Sequence, residues 1–259
     1  MTSAVRRIVS LVPSTTASVC AIGAAGLLVG RTRYCVEPAD EVAPIAVVGG
    51  TKNPDREQIV ALAPDLVLAN AEENRAEDLE WLGARVPVLV QTPSTVVEAA
   101  RDLRALARRL DRYEALAPYL LRIEAQLAAS AVDNLGLPPL RVCYVVWRKP
   151  WMSINRTTFV HDLLRCVGAE NVCAGEAARY PEFDPAQLAA RGTRVVLLAS
   201  EPWAFDRAQC DELIAAGTFG GAKVALCDGR DFCWHGTHMA DGIGQAAALL
   251  AGLRGSVDR

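Results

Sequence analysis

The residues best suited to chemistry in this chain follow short apolar runs that are typical of buried strands. Val47-Val48 leads into Gly49-Gly50-Thr51-Lys52, and Leu66-Val67-Leu68-Ala69 leads into Asn70 and a polar loop. In open α/β sheets, ligands sit outside the carboxyl ends of parallel strands. The sequence therefore predicts a ligand site built from loops. It contains no G-x-S-x-G motif, no P-loop and no strand-linked G-x-G-x-x-G on those loops.

A second group of chemically suited residues combines aromatic rings with cations. Trp147-Arg148-Lys149-Pro150-Trp151 follows an apolar run, and Pro150 stiffens the turn. Exposed rings and cations suit a flat, polar-edged ligand through stacking and charge contacts. The alternative is a hairpin that packs over the sheet. We expect Arg179-Tyr180-Pro181-Glu182 and Trp234-His235-Gly236 to face the same ligand.

Two groups of polar residues suggest a metal site and an acid–base site, and we favour neither interpretation. The first resembles a metal site and consists of Cys227, Asp228, Asp231, Cys233, His235 and His238. Its H-x-x-H spacing lacks the glutamate of H-E-x-x-H, so we expect a binding loop and no protein-bound metal. The second, Glu72 with Glu73, could do acid–base work, but on an exposed loop a partner contact or a solvated face is the favoured interpretation.

The elements that must position these residues alternate between strands and helices, which predicts parallel sheets covered by helices. In the first half, predicted strands cover residues 7–12, 27–29, 45–48, 65–69 and 86–90. One predicted helix begins after the first strand, with Ser14 or Thr15 as its cap, and another covers 76–83. In the second half, predicted strands cover residues 140–146, 194–199 and 223–227, and predicted helices cover 157–167, 184–190 and 206–215. Apolar residues at helical spacing fill the segment between them.

We therefore predict an α/β fold of two lobes, each a mainly parallel sheet flanked by helices, joined by one long backbone helix. The predicted domains are an N-terminal lobe at 1–92, a helical segment at 93–134 that includes the joining helix, and a C-terminal lobe at 135–259. We expect a monomer.

Bulk properties exclude several classes of protein. A net charge of −3 is unlike the strongly basic surfaces of nucleic-acid-binding proteins. The eight cysteines are scattered and largely lie in apolar runs, which favours a reduced, cytoplasmic chain. No run is long enough to span a membrane, and Pro13-Ser14-Thr15-Thr16 interrupts the only signal-like stretch, so we expect no export signal.

Four segments together resemble a known family. They are Arg7-Ile8-Val9-Ser10-Leu11-Val12-Pro13-Ser14, Val48-Gly49-Gly50-Thr51, Pro64-Asp65-Leu66-Val67-Leu68 and Trp234-His235-Gly236. With the lobe–helix–lobe order, they resemble the helical-backbone metal-receptor family. These are the class III substrate-binding proteins that pass cobalamin, haem or ferric siderophores to ABC importers. The resemblance covers nearly the whole chain and is greatest to the cobalamin-binding branch.

The resemblance implies a ligand held in the cleft between the lobes, and no intrinsic cofactor or enzymatic activity. The implied ligand-binding residues are Pro13, Ser14, Arg33, Tyr34, Gly50, Thr51, Lys52, Trp147, Arg148, Trp151, Tyr180, Trp203, Trp234 and His235. Family members also dock on the importer through one acidic residue of each lobe, which here implies Glu72 or Glu73 and Glu201. Tyr34 and His235 are the candidates to coordinate a metal carried by the ligand.

Two alternatives remain open. A chain without an export signal could be a cytoplasmic enzyme or chaperone that acts on a corrinoid or a related cofactor, whereas a processed or truncated chain would be periplasmic. The loops are also rich in cations (Arg33, Lys52, Arg148 and Lys149), and these would suit an anionic chelate better than a neutral corrinoid.

Overall fold

The computed structural model describes residues 4–257 of the chain, with side chains to residue 256. These residues form two compact units. The first unit contains residues 4–93, 97–120 and 235–238, and the second contains residues 94–96, 121–234 and 239–257. Each unit is described by itself below.

The first unit is built on a five-stranded parallel sheet with the strand order β3-β2-β1-β4-β5. Its strands are β1 (Ile8–Ser10), β2 (Leu28–Arg31), β3 (Ala46–Val47), β4 (Leu66–Ala69) and β5 (Val88–Val90). The helices of this part of the chain are α1 (Pro13–Ala21), α2 (Ala39–Val42), α3 (Arg56–Ala61), α4 (Ala76–Gly83) and α5 (Val96–Arg109).

The central strands β1 and β4 are buried on both faces, which is why they read as continuous apolar runs. Successive side chains of a strand point to opposite faces. Ile8 and Leu66 accordingly join the core cluster that includes Leu103 and Leu106 of α5. The intervening Val9 and Val67 join a separate cluster with Ile59 of α3. The strands therefore hold helices on both sides of the sheet.

The second unit contains a four-stranded parallel sheet with the order β11-β10-β6-β9. Its strands are β6 (Leu140–Val145), β9 (Ala169–Asn171), β10 (Val195–Ala199) and β11 (Lys223–Cys227). A separate antiparallel hairpin consists of β7 (Trp147–Arg148) and β8 (Trp151–Met152). The remaining helices are α6 (Tyr113–Asp133), α7 (Phe159–Cys166), α8 (Arg207–Ala215), α9 (Gly229–Cys233) and α10 (Met239–Val257).

The helix α6 is continuous over 21 residues despite Pro118 in its interior. A proline lacks the backbone N–H of the helical hydrogen bond, so the helix loses one bond there. Leu116, Leu120 and Ile123 are buried along one side and offset that loss. The division between the two units falls within this helix, after Leu120.

The structure confirms the predicted fold of two parallel sheets flanked by helices, and α4 and β11 begin and end at the predicted residues. The predicted helix at 184–190 is wrong, because only a 3-10 turn forms at Pro185–Gln187 before a turn that ends at Gly192 with a φ of 66°. Neither β9 nor α9 was predicted, since they are only three and five residues long. In the described part of the chain, no helix is long and apolar enough to cross a membrane.

Candidate ligand-binding site

In the first unit, parallel strands bring their carboxyl ends, and the predicted site residues that follow them, to one edge of the sheet. Pro13 is the first residue of α1 and follows β1 directly. Ser14 comes next and is buried, and its carbonyl accepts a hydrogen bond from Ser18 Oγ (2.8 Å). The predicted cap at Ser14 or Thr15 is wrong: Val12 occupies the N-cap position, and no side chain caps the helix.

The loops after β2 and β3 are joined through two glycines. The backbone N–H of Arg33 donates to the carbonyl of Gly49 (2.8 Å). At Gly50, an added Cβ would lie 3.3 Å from Tyr34 Cε2 and 2.5 Å from Asn53 Oδ1, so the Tyr34 ring rests against a position where a larger residue would push it away. Tyr34 remains 56% exposed. The two loops thus present an aromatic ring to solvent from a fixed base.

Neutral amides join the loop after β3 to the loop after β4. Asn74 is buried, and its Nδ2 donates to the carbonyl of Thr51 (3.0 Å). Its Oδ1 accepts from the backbone N–H of Asn70 (2.9 Å). Lys52 Nζ donates to the backbone carbonyl of Glu72. These contacts position Thr51 and Lys52 beside the loop that carries Glu72 and Glu73, both of which are half-buried.

The segment from His235 to His238 belongs to the first unit although it follows the second sheet in sequence. Thr237 N–H donates to Ser18 Oγ (3.0 Å), and Gly236 has a φ of 109° and packs so closely on Ser18 that a Cβ would clash. His235 Nε2 lies 3.2 Å from Asn70 Nδ2. Burial lowers the pKa of His235 to about 4, so the ring is neutral at neutral pH.

In the second unit, the hairpin β7–β8 follows β6, as the packed-hairpin alternative proposed. Trp147 is 37% exposed, and its ring meets that of Trp203 edge-on at 5.0 Å. Trp203 lies in the loop after β10. The pair joins two strand ends that are adjacent in the sheet, because β10 pairs with β6.

Trp151 differs from Trp147, because its contacts are with the core. Its ring is stacked at 6.4 Å from Phe205, and it meets Phe219 edge-on at 5.3 Å and Phe183 at 6.3 Å. It packs against a cluster that includes β6 and β10. For Trp151 the structure shows a packing role, and its ligand-binding role stays a prediction.

The remaining candidates of the second unit have individual surroundings. Arg148 forms an ion pair with Glu212 of α8 (2.8 Å) and lies over the Trp151 ring. Tyr180 is 38% exposed. Trp234 follows α9 and lies 6.0 Å from the guanidinium of Arg230.

Glu201 and Asp228 mark the ends of β10 and β11. Glu201 Oε1 accepts a hydrogen bond from the Cys233 thiol (3.0 Å). Asp228 caps α9 and pairs with Arg230 (2.6 Å), and the hydrogen bonds from Arg230 hold the pKa of this carboxyl below its usual value. A solvent-open groove of about 460 Å³ lies here and is lined by Ser200, Phe205, Leu226, Cys227, Asp228 and Arg230. Within residues 4–257, no group of three or more His, Cys, Asp and Glu residues is placed to hold a metal ion.

The geometry suits ligand binding, because aromatic rings and cations lie at strand ends on loops that hydrogen bonds and packing hold in place. Residues 8–215 match the protein family described as periplasmic binding protein. The chain belongs to this family. The match covers the whole first sheet and β6, β9 and β10 of the second, and it confirms the family resemblance inferred from the sequence.

Relatives of this chain include the vitamin B12-binding protein of Vibrio parahaemolyticus, which is 27% identical over 195 residues, 74% of this chain and 70% of that protein. Among solved structures, the periplasmic vitamin B12-binding protein of Vibrio cholerae has the same fold, with a TM-score of 0.80 at 19% identity over 96% of this chain and 98% of that one. A periplasmic heme-binding protein in complex with two hemes also has a TM-score of 0.80, at 23% identity over 97% and 99% of the two chains.

Some residues that build the site were missed as site residues. Asn70 and Asn74 were noted only as polar loop residues, although asparagines after a strand are a signal for side-chain-to-backbone bonds. Ser200 was not singled out, and Asp228 was considered only as a member of the metal-like group. Gly229 N–H donates to Ser200 Oγ (2.9 Å), which connects the ends of β10 and β11. An Asp one residue before a short helix is a capping signal that could have identified Asp228.

Proposed function

We propose that this protein binds a metal chelate with a flat ring system, a cobalamin-like corrinoid first and haem second, for delivery to an ABC importer. The observation that carries the proposal is the exposed Tyr34 ring resting on Gly50 at the carboxyl edge of a parallel sheet. The relatives named for vitamin B12 and heme support the ligand class.

Tyr34 suits this role because its position does not depend on the ligand. The loop that carries it is held by the Arg33–Gly49 backbone bond, and the neighbouring loop is held by Asn74. A ring fixed before binding loses little conformational freedom when a ligand stacks on it. In the second unit, Trp147 and Trp203 supply a further pair of rings at strand ends.

The charges around these rings bear on the choice of ligand. Arg148 is paired with Glu212, and Lys52 donates to the Glu72 carbonyl. Of the four loop cations, these two are thus engaged by the protein itself. The case for a strongly anionic ligand is weaker than the sequence indicated, which supports a corrinoid ahead of a highly charged chelate.

The test is a titration of the purified protein with cobalamin, hemin and a ferric siderophore, followed by calorimetry and visible spectra. We expect Tyr34→Ala to weaken binding by about 1–3 kcal/mol, the range of an aromatic that anchors a ligand. Tyr113→Ala is the matched control, since Tyr113 is a tyrosine of α6 that is 37% exposed. Binding of none of the three compounds by the wild-type protein would refute the proposal, and equal affinities of both variants would remove Tyr34 from it.

For delivery, we propose docking on the importer through Glu201 of the second unit and through Glu72 or Glu73 of the first. All three are half-buried and lie in the loops that follow β10 and β4. In cells whose only cobalamin receptor is this chain, the variants Glu201→Gln and Glu73→Gln should lower the uptake of cobalamin. The affinity for the ligand should not change. Glu80→Gln on α4 is the control, and unchanged uptake by the first two variants would exclude docking through these residues.

The cellular compartment of the protein can be tested separately. The family name favours action outside the cytoplasm, whereas the sequence favoured a cytoplasmic chain unless it is processed. Fractionation of cells that express the natural gene places the protein in one of the two. The enzymatic alternative has its own test: turnover of a bound corrinoid that is lost in His235→Ala, with binding intact, would favour an enzyme over a binding protein.

A further inference from the structure

The second unit contains two buried cysteines whose placement the ligand-binding role does not use. Cys143 lies in β6 and Cys173 lies just after β9, and both are 0% exposed. Both side chains belong to the same core cluster of buried residues. None of the eight cysteines of the described chain is in a disulfide.

The sheet explains how the two side chains meet. β6 and β9 are adjacent parallel strands with Val142 opposite Asn171. β9 ends at Asn171, whose Oδ1 accepts from the Cys173 backbone N–H (3.0 Å) and turns the chain there. The turn places Cys173 in the same core cluster as Cys143.

The surroundings of the pair are polar for a protein core. Cys143 Sγ lies 3.9 Å from Ser153 Oγ, and Arg191 Nη1 lies 3.8 Å from Cys173 Sγ. The hydrogen bond from Cys143 lowers the pKa of Cys173, and Arg191 acts in the same direction. A cysteine stabilised as a thiolate is the nucleophile of thiol–disulfide exchange.

We propose that Cys143 and Cys173 are a redox-active dithiol that forms a disulfide when the chain folds in an oxidising compartment. The oxidant is a small-molecule or protein disulfide. The Cys173 thiolate attacks one of its sulfurs and releases the other as a thiolate. Cys143 then loses its proton and attacks Cys173 Sγ, which releases the second thiolate. Two protein thiols are thus oxidised by two electrons, and the disulfide is reduced to two thiols.

Other cysteines are less suited to such a reaction. Cys20 and Cys35 of the first unit are also buried. Cys35 Sγ, however, lies 3.1 Å from Thr32 Oγ1 and donates a hydrogen bond to the Ser10 carbonyl. Burial raises the pKa of both. We therefore expect oxidation to select the pair in the second unit.

The test is refolding of the reduced full-length protein in a glutathione redox buffer, followed by alkylation in denaturant and mass spectrometry. We expect two of the eight thiols to resist alkylation, and a peptide map to join residue 143 to residue 173. The bridged protein should unfold at a higher denaturant concentration than the reduced protein, because the bridge constrains the unfolded chain. Alkylation of all eight thiols, or a bridge between any other pair, would overturn the proposal.

Variants separate this pair from general oxidation. Cys173→Ala should alkylate at every remaining cysteine. Cys210→Ala, which changes another cysteine of the same core cluster, should keep the bridge. If Cys173→Ala fails to fold, the wild-type peptide map and the Cys210→Ala control still decide the outcome. Loss of the bridge in Cys210→Ala would also count against the proposal.

Discussion

The loops at the strand ends of the two units are held in place by different forces. In the first unit, backbone bonds and the side-chain amide of Asn74 fix the loops, and the Tyr34 ring projects from them. In the second unit, packing rings and ion pairs fix the loops: Trp151 lies among three phenylalanines, and Asp228 pairs with Arg230. The same type of candidate residue is therefore separable from folding in one unit and part of folding in the other.

This difference has a consequence for the evolution and engineering of the ligand preference. A ring that stabilises its own loop cannot be exchanged without a loss of stability, whereas Tyr34 contributes an exposed surface to a loop fixed by other groups. We expect ligand preference to be tuned more easily in the first unit.

The largest expected effect is that of Trp151→Ala. Removing a ring that contacts Phe183, Phe205 and Phe219 leaves a cavity, and we expect it to lower the free energy of unfolding by about 3–5 kcal/mol. Thermal and denaturant unfolding measure the loss. Trp147→Ala is the control in the same hairpin, because its ring is more exposed. Equal, small losses for both variants would show that the second unit does not depend on this packing.

The fold could be predicted from the sequence because its signals are local. The apolar pattern of a strand, or of a helix such as α4, can be recognised within about ten residues. Trp151 could not be assigned in this way, since its three partners lie up to 68 residues away and a tryptophan in a loop suits both packing and binding. Glu212 likewise neutralises Arg148 from 64 residues away, so the charge of the site could not be judged from the loops alone.

A smaller effect should distinguish the first unit. Gly49 has a φ of 92°, and a Cβ there would lie 2.7 Å from the backbone carbonyl of Asn53. Gly49→Ala should therefore cost about 1–3 kcal/mol of stability through backbone strain, and it should displace the loop against which Tyr34 rests. Gly26→Ala is the control, because no atom lies within 4 Å of a Cβ there. Urea unfolding measures both variants. Equal unfolding midpoints would show that the conformation of Gly49 does not hold this loop in place.

The smallest effect tests whether the second unit depends on charge. Asp228→Asn keeps a capping oxygen for α9 but removes the charge that Arg230 meets. Both side chains are 36% exposed, so solvent screens the pair and we expect a loss of about 0.2–1 kcal/mol at neutral pH. Arg230 lowers the pKa of Asp228 from its ordinary value of 3.8. A carboxyl with a lowered pKa in the folded state stabilises the fold above its unfolded pKa, and that contribution is lost as the pH falls through the folded pKa.

The difference between wild type and Asp228→Asn should therefore be constant above pH ~5, begin to shrink near the unfolded pKa and disappear only below the lower folded pKa. Asn74→Ala supplies the comparison in the first unit. Its bonds to Asn70 and Thr51 are made by a side chain that does not titrate, so its loss of stability should not change over the same range. Unfolding curves of the three proteins from pH 7 to acid measure both differences. Suppose instead that the stability loss of Asp228→Asn persisted in acid while that of Asn74→Ala declined. Then a charged pair would not be what holds α9 in the second unit, and neutral amides would not be what holds the loops of the first.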